Sequence, residues 1–263
     1  MQVIADNLQI TRPEIEAALV DGDPEPIRGL ARNLEAAGAD GIDINSGPLP
    51  RNPESGMALL VEAVQSATSC RLLLDTTNPR AIAAGLRQSN RPAIINGISM
   101  EPAKLEHILP LAAAFDADVI VYLLDAKSRV PSTEAECYEI AVALLQAGES
   151  AGLDKSRLII DPVVSPLMWE NGCARNQTIL SVIGNLEDVL GFPVRTIAGI
   201  SNLTSGRGPA VKKRLLEAAY LPMLAAAGLD MALMNVFHDQ TVRVARTCTT
   251  LTEQALFSWA AVD

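Results

Sequence analysis

Short apolar runs alternate with longer Ala/Leu-rich stretches from one end of the chain to the other. The short runs are Val3 to Ala5, Gly41 to Ile44, Arg71 to Leu74, Ala93 to Ile95, Val119 to Leu123, Leu158 to Ile160, Thr196 to Ile200 and Met231 to Met234. Each is too short for a helix and nearly uninterrupted in apolar character, the signature of a strand buried on both faces in a parallel sheet. The stretches between them have the length and composition of helices, so the chain reads as about eight βα units in succession. Helix punctuation agrees. Thr11, Pro13 and Glu14 read as a capping-box start, Asn78-Pro79 as a cap followed by proline, and Ser132 or Thr133 as the opening of another helix. Gly38, Gly152 and Gly228 follow helical runs, where a left-handed residue commonly ends the helix.

The predicted fold is α/β, a (β/α)8 TIM barrel in which residues 1–263 form a single domain. A doubly wound open sheet shares the alternation, but no GxGxxG follows the first strand, and about eight units favour closure. Hydrophobic residues make up 49% of the chain and aromatics 3%, so the core must be built from Ala, Leu, Ile and Val. With 31 acidic against 21 basic side chains the formal charge is -10, which argues against nucleic acid and anionic lipid as partners. Neither a secretory signal nor a membrane-length apolar run is evident, and Cys70, Cys137, Cys173 and Cys248 form no CxxC. The expectation is a cytoplasmic protein with no intrinsic metal and no disulfide framework.

The chemistry lies at the strand ends. Strand two runs into Asp43 and Asn45, strand three into Asp75, strand four into Asn96, strand six into Asp161, and strand seven into Ser201 and Asn202. In a barrel these positions share the C-terminal rim, where the fold carries its active sites. Carboxylates accept and primary amides both donate and accept, which suits the edge of a flat nitrogen heterocycle such as a pterin. Any one of these residues could instead cap the following helix or lock a turn, as Asn78 and Asp75 could; five strands ending alike favour a site.

The segments GIDINSGP, LLLDTTNP, AIINGIS, LIIDPVVSP and AGISNLTSG, in this order, resemble the pterin-binding methyltransferase family, and in particular its methyltetrahydrofolate:corrinoid protein methyltransferases. The family also includes the folate domain of cobalamin-dependent methionine synthase and, more distantly, dihydropteroate synthase. The resemblance implies tetrahydrofolate or methyltetrahydrofolate as substrate, a corrinoid (cobalamin) supplied by a partner corrinoid protein, and a homodimer. It places Asp75, Asn96 and Asp161 on the pterin ring, Asp43 and Asn45 in support with Ser201 nearby, and Asn202 as the catalytic amide that approaches N5. Relatives carry a Glu-Arg-Ile-Asn-like run in strand one, where this chain has Asp6, Asn7 and Gln9. Ser205 and Gly206 likewise replace a Gln-Asn pair. The DxHxxG sequence that ligates cobalt is absent around His107 and His238.

Two other readings stay open at this level. A dihydropteroate synthase-like enzyme would need the lysine that its relatives place after the strand-seven serine, where this chain has Asn202; a non-catalytic pterin-binding or corrinoid-docking module would not need Asn202 at all. His238-Asp239 could form a general-base pair or merely cap a helix. Lys212, Lys213 and Arg214 with Arg207 could steer an anionic partner or simply face solvent, and Met168-Trp169 could act as a lid or corrinoid contact, or wedge a loop.

Overall fold

The computed structural model describes residues 1–47, 52–252 and 259. Pro48, the last residue of the GIDINSGP motif, and residues 253–258 and 260–263 lie outside the described part. Eight parallel strands close into a barrel in the order of the chain. They are β1 (Gln2–Gln9), β2 (Gly41–Asn45), β3 (Arg71–Asp75), β4 (Ala93–Ile98), β5 (Asp118–Tyr122), β6 (Leu158–Asp161), β7 (Arg195–Gly199) and β8 (Met231–Met234). Around them run α1 (Pro13–Asp21), α2 (Glu25–Ala36), α3 (Pro53–Ala67), α4 (Pro79–Gln88), α5 (Pro102–Ala114), α6 (Glu134–Ser150), α7 (Gly172–Leu190), α8 (Ala210–Ala226) and α9 (Asp239–Thr252). Among the described residues no helix is long and apolar enough to cross a membrane. The ring closes where β1 pairs with β8, Ile4 lying opposite Leu233.

Side chains alternate along each strand, so every strand except β2 serves two cores. The outward residues, Ile42, Ile44, Leu72 and Leu74 among them, join the layer between strands and helices. The inward residues Ile4, Leu73, Ile94, Ile120, Ile159, Ile197 and Met231 meet one another and fill the barrel with a dry plug. Burying one such side chain stabilises the fold by about 1.5–3 kcal/mol.

Most local signals hold. Asn78 caps α4, its side chain accepting from the backbone N–H groups of Arg80 and Ala81 at 3.0 and 3.3 Å. Thr133, and not Ser132, opens α6 through a capping box with Glu136. Gly38, Gly152 and Gly228 each stand just past a helix with positive φ. The start of α1 differs from expectation. β1 continues to Gln9, with a register shift between Ala5 and Leu8, which leaves Thr11 in the turn. Arg12 takes the cap position without a side-chain cap bond and pairs with Glu14 at 2.7 Å. β4 also runs further than its apolar run suggests, through Asn96 and Gly97 to the buried Ile98.

Candidate active site

Two residues beyond each plug side chain the same inward face of the strand recurs. Ile4 is thus followed by Asp6, Leu73 by Asp75, Ile94 by Asn96, Ile120 by Tyr122 and Ile159 by Asp161. Asp43 and Asn45 share the inward face of β2, since Ile42 and Ile44 face the helices. A polar layer therefore sits directly on the apolar plug at the C-terminal end of the barrel. The structure brings Asp43, Asn45, Asp75, Asn96 and Asp161 to this layer, as the strand-end pattern predicted.

The layer is wired internally. The Tyr122 hydroxyl donates to Asn96 Oδ1 at 2.5 Å, and Asn96 Nδ2 donates to Asp43 Oδ1 at 2.8 Å. Asn45 Nδ2 donates to Asp75 Oδ2 at 2.5 Å, while Asn45 Oδ1 accepts from the Gly47 N–H at 3.1 Å. Asp75 does not lock the following turn; Thr76 does, its hydroxyl accepting from the Asn78 N–H at 3.3 Å. Tyr122 is a member that the sequence reading did not single out. Its ring has room because residue 97 is glycine: a Cβ there would lie 2.7 Å from the Ile120 carbonyl oxygen and 3.1 Å from the ring.

Burial sets the electrostatics. The Asp161 carboxyl is pushed up to about 7 by burial, against one backbone bond from the Val163 N–H at 2.7 Å. Val163 makes that bond with φ +64°, a costly conformation for a β-branched residue and of the kind that gathers at functional loops. Asp75 rises to about 6, again through burial, with the Asn45 bond opposing. Asp43 rises well above the usual carboxylate range through burial and the charge of Asp75, and Asp6 rises through burial. The Tyr122 hydroxyl, enclosed and facing Asp75, Asp161 and Asp43, is held neutral as a donor. A cluster of carboxyl groups with raised affinities for protons, inside a barrel mouth, is the pattern expected of a ligand site.

At the end of β7 the inward position is Gly199, two residues beyond Ile197. A Cβ on Gly199 would lie 3.0 Å from the side-chain nitrogen of Asn202. The Asn202 side chain, itself exposed, therefore stands against the place that a β7 side chain would take, at the rim of the barrel. It rides on a 3-10 turn, Ile200–Thr204. The Ser201 hydroxyl in that turn donates to Asp6 Oδ2 at 2.8 Å, which gives Asp6 a place at the mouth. Asn7 faces away from this group and ties β1 to the residues after β8, donating to Asn235 Oδ1 and accepting from the Val236 N–H. Gln9 bonds the Asp6 carbonyl, and Ser205 the Ser201 carbonyl.

His238 does not pair with Asp239. Its Nδ1 lies 3.7 Å from Glu217 Oε2 on α8, and Asp239 pairs with Arg243. In the basic patch Lys213 donates to the Gly206 carbonyl, Arg207 and Lys212 are exposed and Arg214 is half-buried. Met168 and Trp169 are exposed, and Trp169 lines a cleft of about 770 Å³ with Arg129 and Arg175.

The family model described as pterin binding enzyme matches residues 15–235. The chain belongs to that family. Among curated relatives it is 26% identical to the methylcorrinoid:tetrahydrofolate methyltransferase of Eubacterium limosum over 239 residues, 89% of this chain and 85% of that one. It is 24% identical to the methionine synthase of Mycobacterium leprae over 225 residues, 83% of this chain but 18% of that much longer protein. Among solved structures, dihydropteroate synthase from Xanthomonas albilineans in complex with 7,8-dihydropteroate superposes with TM-score 0.69 at 23% identity, covering 97% of this chain and 94% of that one. Dihydropteroate synthase from Stenotrophomonas maltophilia gives TM-score 0.70 at 22% identity over the same shares. At these identities the structural likeness speaks to the barrel fold. The family membership makes the polar layer of this pterin binding enzyme its candidate pterin pocket.

Proposed function

We propose that this enzyme moves a methyl group between N5 of tetrahydrofolate and the cobalt of a corrinoid held by a separate protein. The observation that carries the reading is the pairing of a carboxylate-and-amide layer with an amide, Asn202, standing against the β7 slot at the rim. Asp161 and Asp75 accept the N–H groups along the aminopyrimidinone edge of the pterin, and Asn96 with Asn45 meets the ring acceptors. Asp43 and Tyr122 hold Asn96 in place. A pyrophosphate-releasing reaction of the dihydropteroate synthase type calls for a cation where Asn202 stands.

Breaking or making the N5–methyl bond changes the charge at N5, and the amine leaves poorly unless a donor meets it. The Asn202 amide donates to N5 as that charge develops, and the proton itself arrives through water. The partner's corrinoid supplies the cobalt centre that exchanges the methyl. The barrel contributes orientation, worth several kcal/mol when the methyl lies in line. The relative named for methylcorrinoid and tetrahydrofolate supports this reading. The free thiols of Cys70, Cys137, Cys173 and Cys248 suit a reducing cytoplasm. The exposed Val211, Leu215 and Met223 along α8 suit a homodimer.

The test follows cobalt(I) absorbance with free cobalamin and methyltetrahydrofolate, with folate affinity measured separately by calorimetry. Asn202→Ala should keep its folate affinity and lose turnover by on the order of 10²-fold. An unchanged rate removes the role of Asn202, and absence of folate binding by the wild type removes the reading as a whole.

A further inference from the structure

The turn that carries Asn202 is gripped at both ends by acids from other parts of the barrel. On one side the Ser201 hydroxyl donates to Asp6 Oδ2 on β1 at 2.8 Å. On the other the Thr204 hydroxyl donates to Glu217 Oε1 on α8 at 2.5 Å. Glu217 is buried, 8% exposed, and its second oxygen lies 3.7 Å from Nδ1 of His238 in the loop after β8. The backbone between is held as well, the Leu167 N–H donating to the Leu203 carbonyl at 2.9 Å. A buried carboxylate costs folding free energy unless it is bonded, so a glutamate on the inner face of α8 asks for a reason that core packing does not supply.

We propose that Asp6 and Glu217 are positioning residues that hold the Ile200–Thr204 turn from opposite sides and thereby aim Asn202 into the mouth. Each carboxylate takes one hydroxyl hydrogen from the turn, and Asn202 lies between the two anchored residues. His238 engages the far oxygen of Glu217 and keeps the near one on Thr204. A turn free to shift by about 1 Å would lose the alignment of its amide with N5, a displacement that costs up to about 10²-fold in rate. The inference rests on the proposed methyl transfer for its kinetic readout and is independent of it for its structural one.

Thr204→Val removes the hydroxyl and keeps the shape. In the methyl-transfer assay its kcat should fall about tenfold or more while its folate Kd stays within about twofold of wild type. Thr204→Ser restores the hydroxyl and should restore the rate. Thr204→Val combined with Glu217→Leu should lose little more than either change alone, because the two side chains act as one unit. The second readout is the side-chain amide NMR resonance of Asn202, assigned by its loss in Asn202→Ala, which should be single in wild type and broadened or split in Thr204→Val. Thermal midpoints report whether each variant folds. If the wild type transfers methyl while Thr204→Val leaves rate and resonance unchanged, the clamp is wrong. Additive losses in the double variant would also overturn it. If the wild type transfers no methyl yet the Asn202 resonance responds to Thr204→Val, the methyl-transfer reading falls and the clamp stands.

Discussion

Tyr122 on β5 gives its phenolic hydrogen to Asn96 on β4 at 2.5 Å, and in doing so fixes which way the Asn96 amide faces. With Oδ1 satisfied by Tyr122, Nδ2 is directed at Asp43. The orientation of this amide is thus set from a strand three places away from the carboxylate it serves. Tyr122→Phe should cost about 1 kcal/mol of stability in chemical denaturation. It should also weaken folate binding, since Asn96 becomes free to rotate; affinity equal to wild type would show that Asn96 needs no such guide.

Gly97→Ala should destabilise the fold by about 1–3 kcal/mol, because the added methyl meets both the Ile120 carbonyl and the Tyr122 ring. If the variant binds folate, its affinity should resemble that of Tyr122→Phe, as the ring is pushed from Asn96. A fully stable Gly97→Ala with normal affinity would contradict the close packing of β4 against Tyr122.

Asp161 sits at about 7 and Asp75 at about 6, each raised mainly by burial, against an ordinary value of 3.8. Between that value and about 6 the unfolded chain has released both protons while the ligand-free fold retains them, and up to about 7 the fold still holds that of Asp161, so stability increases as pH falls. The thermal midpoint without ligand should rise between about pH 8 and about pH 5, with Asp161 contributing on the order of 2 kcal/mol. Asp161→Asn should flatten that rise. Folate binding should move the opposite way, tightening as pH climbs through about 7, because the ring N–H groups need ionised acceptors.

Asp161→Ala should weaken folate binding by about 1–3 kcal/mol, since it strands ring donors in a buried place. Calorimetry at pH values above about 8, where the carboxylate is ionised, gives the full difference. Equal affinity there would remove Asp161 from the pocket.

The barrel and the acids at the strand ends were legible because one rule, alternation along a strand, governs both. In LLLD, AIIN and LIID the polar residue follows the plug residue by two positions, so the pattern that builds the floor also aims the site. Tyr122 obeys the same rule in DVIVY, but reads as one more bulky strand residue until Gly97 is seen to admit its ring. Asp6 and Ser201 lie far apart in the chain and meet because the ring closes between β1 and β8, a fact no local pattern carries. Adjacency to Asp239 leaves His238 open to pairing or to capping a helix; the loop after β8 turns its ring toward α8 and Glu217. Thr11 does not cap α1 because Arg12, directly before Pro13, takes the cap position.

The plug of Ile4, Leu73, Ile94, Ile120, Ile159, Ile197 and Met231 has a kinetic corollary. It closes the bottom of the polar layer, so among the described residues a ligand of that layer arrives from the C-terminal ends of the strands. Under the proposed methyl transfer the pterin, which settles deepest, must come in first, and a corrinoid carrier resting over the doorway would lock it in until that visitor departs, a last-in, first-out stack.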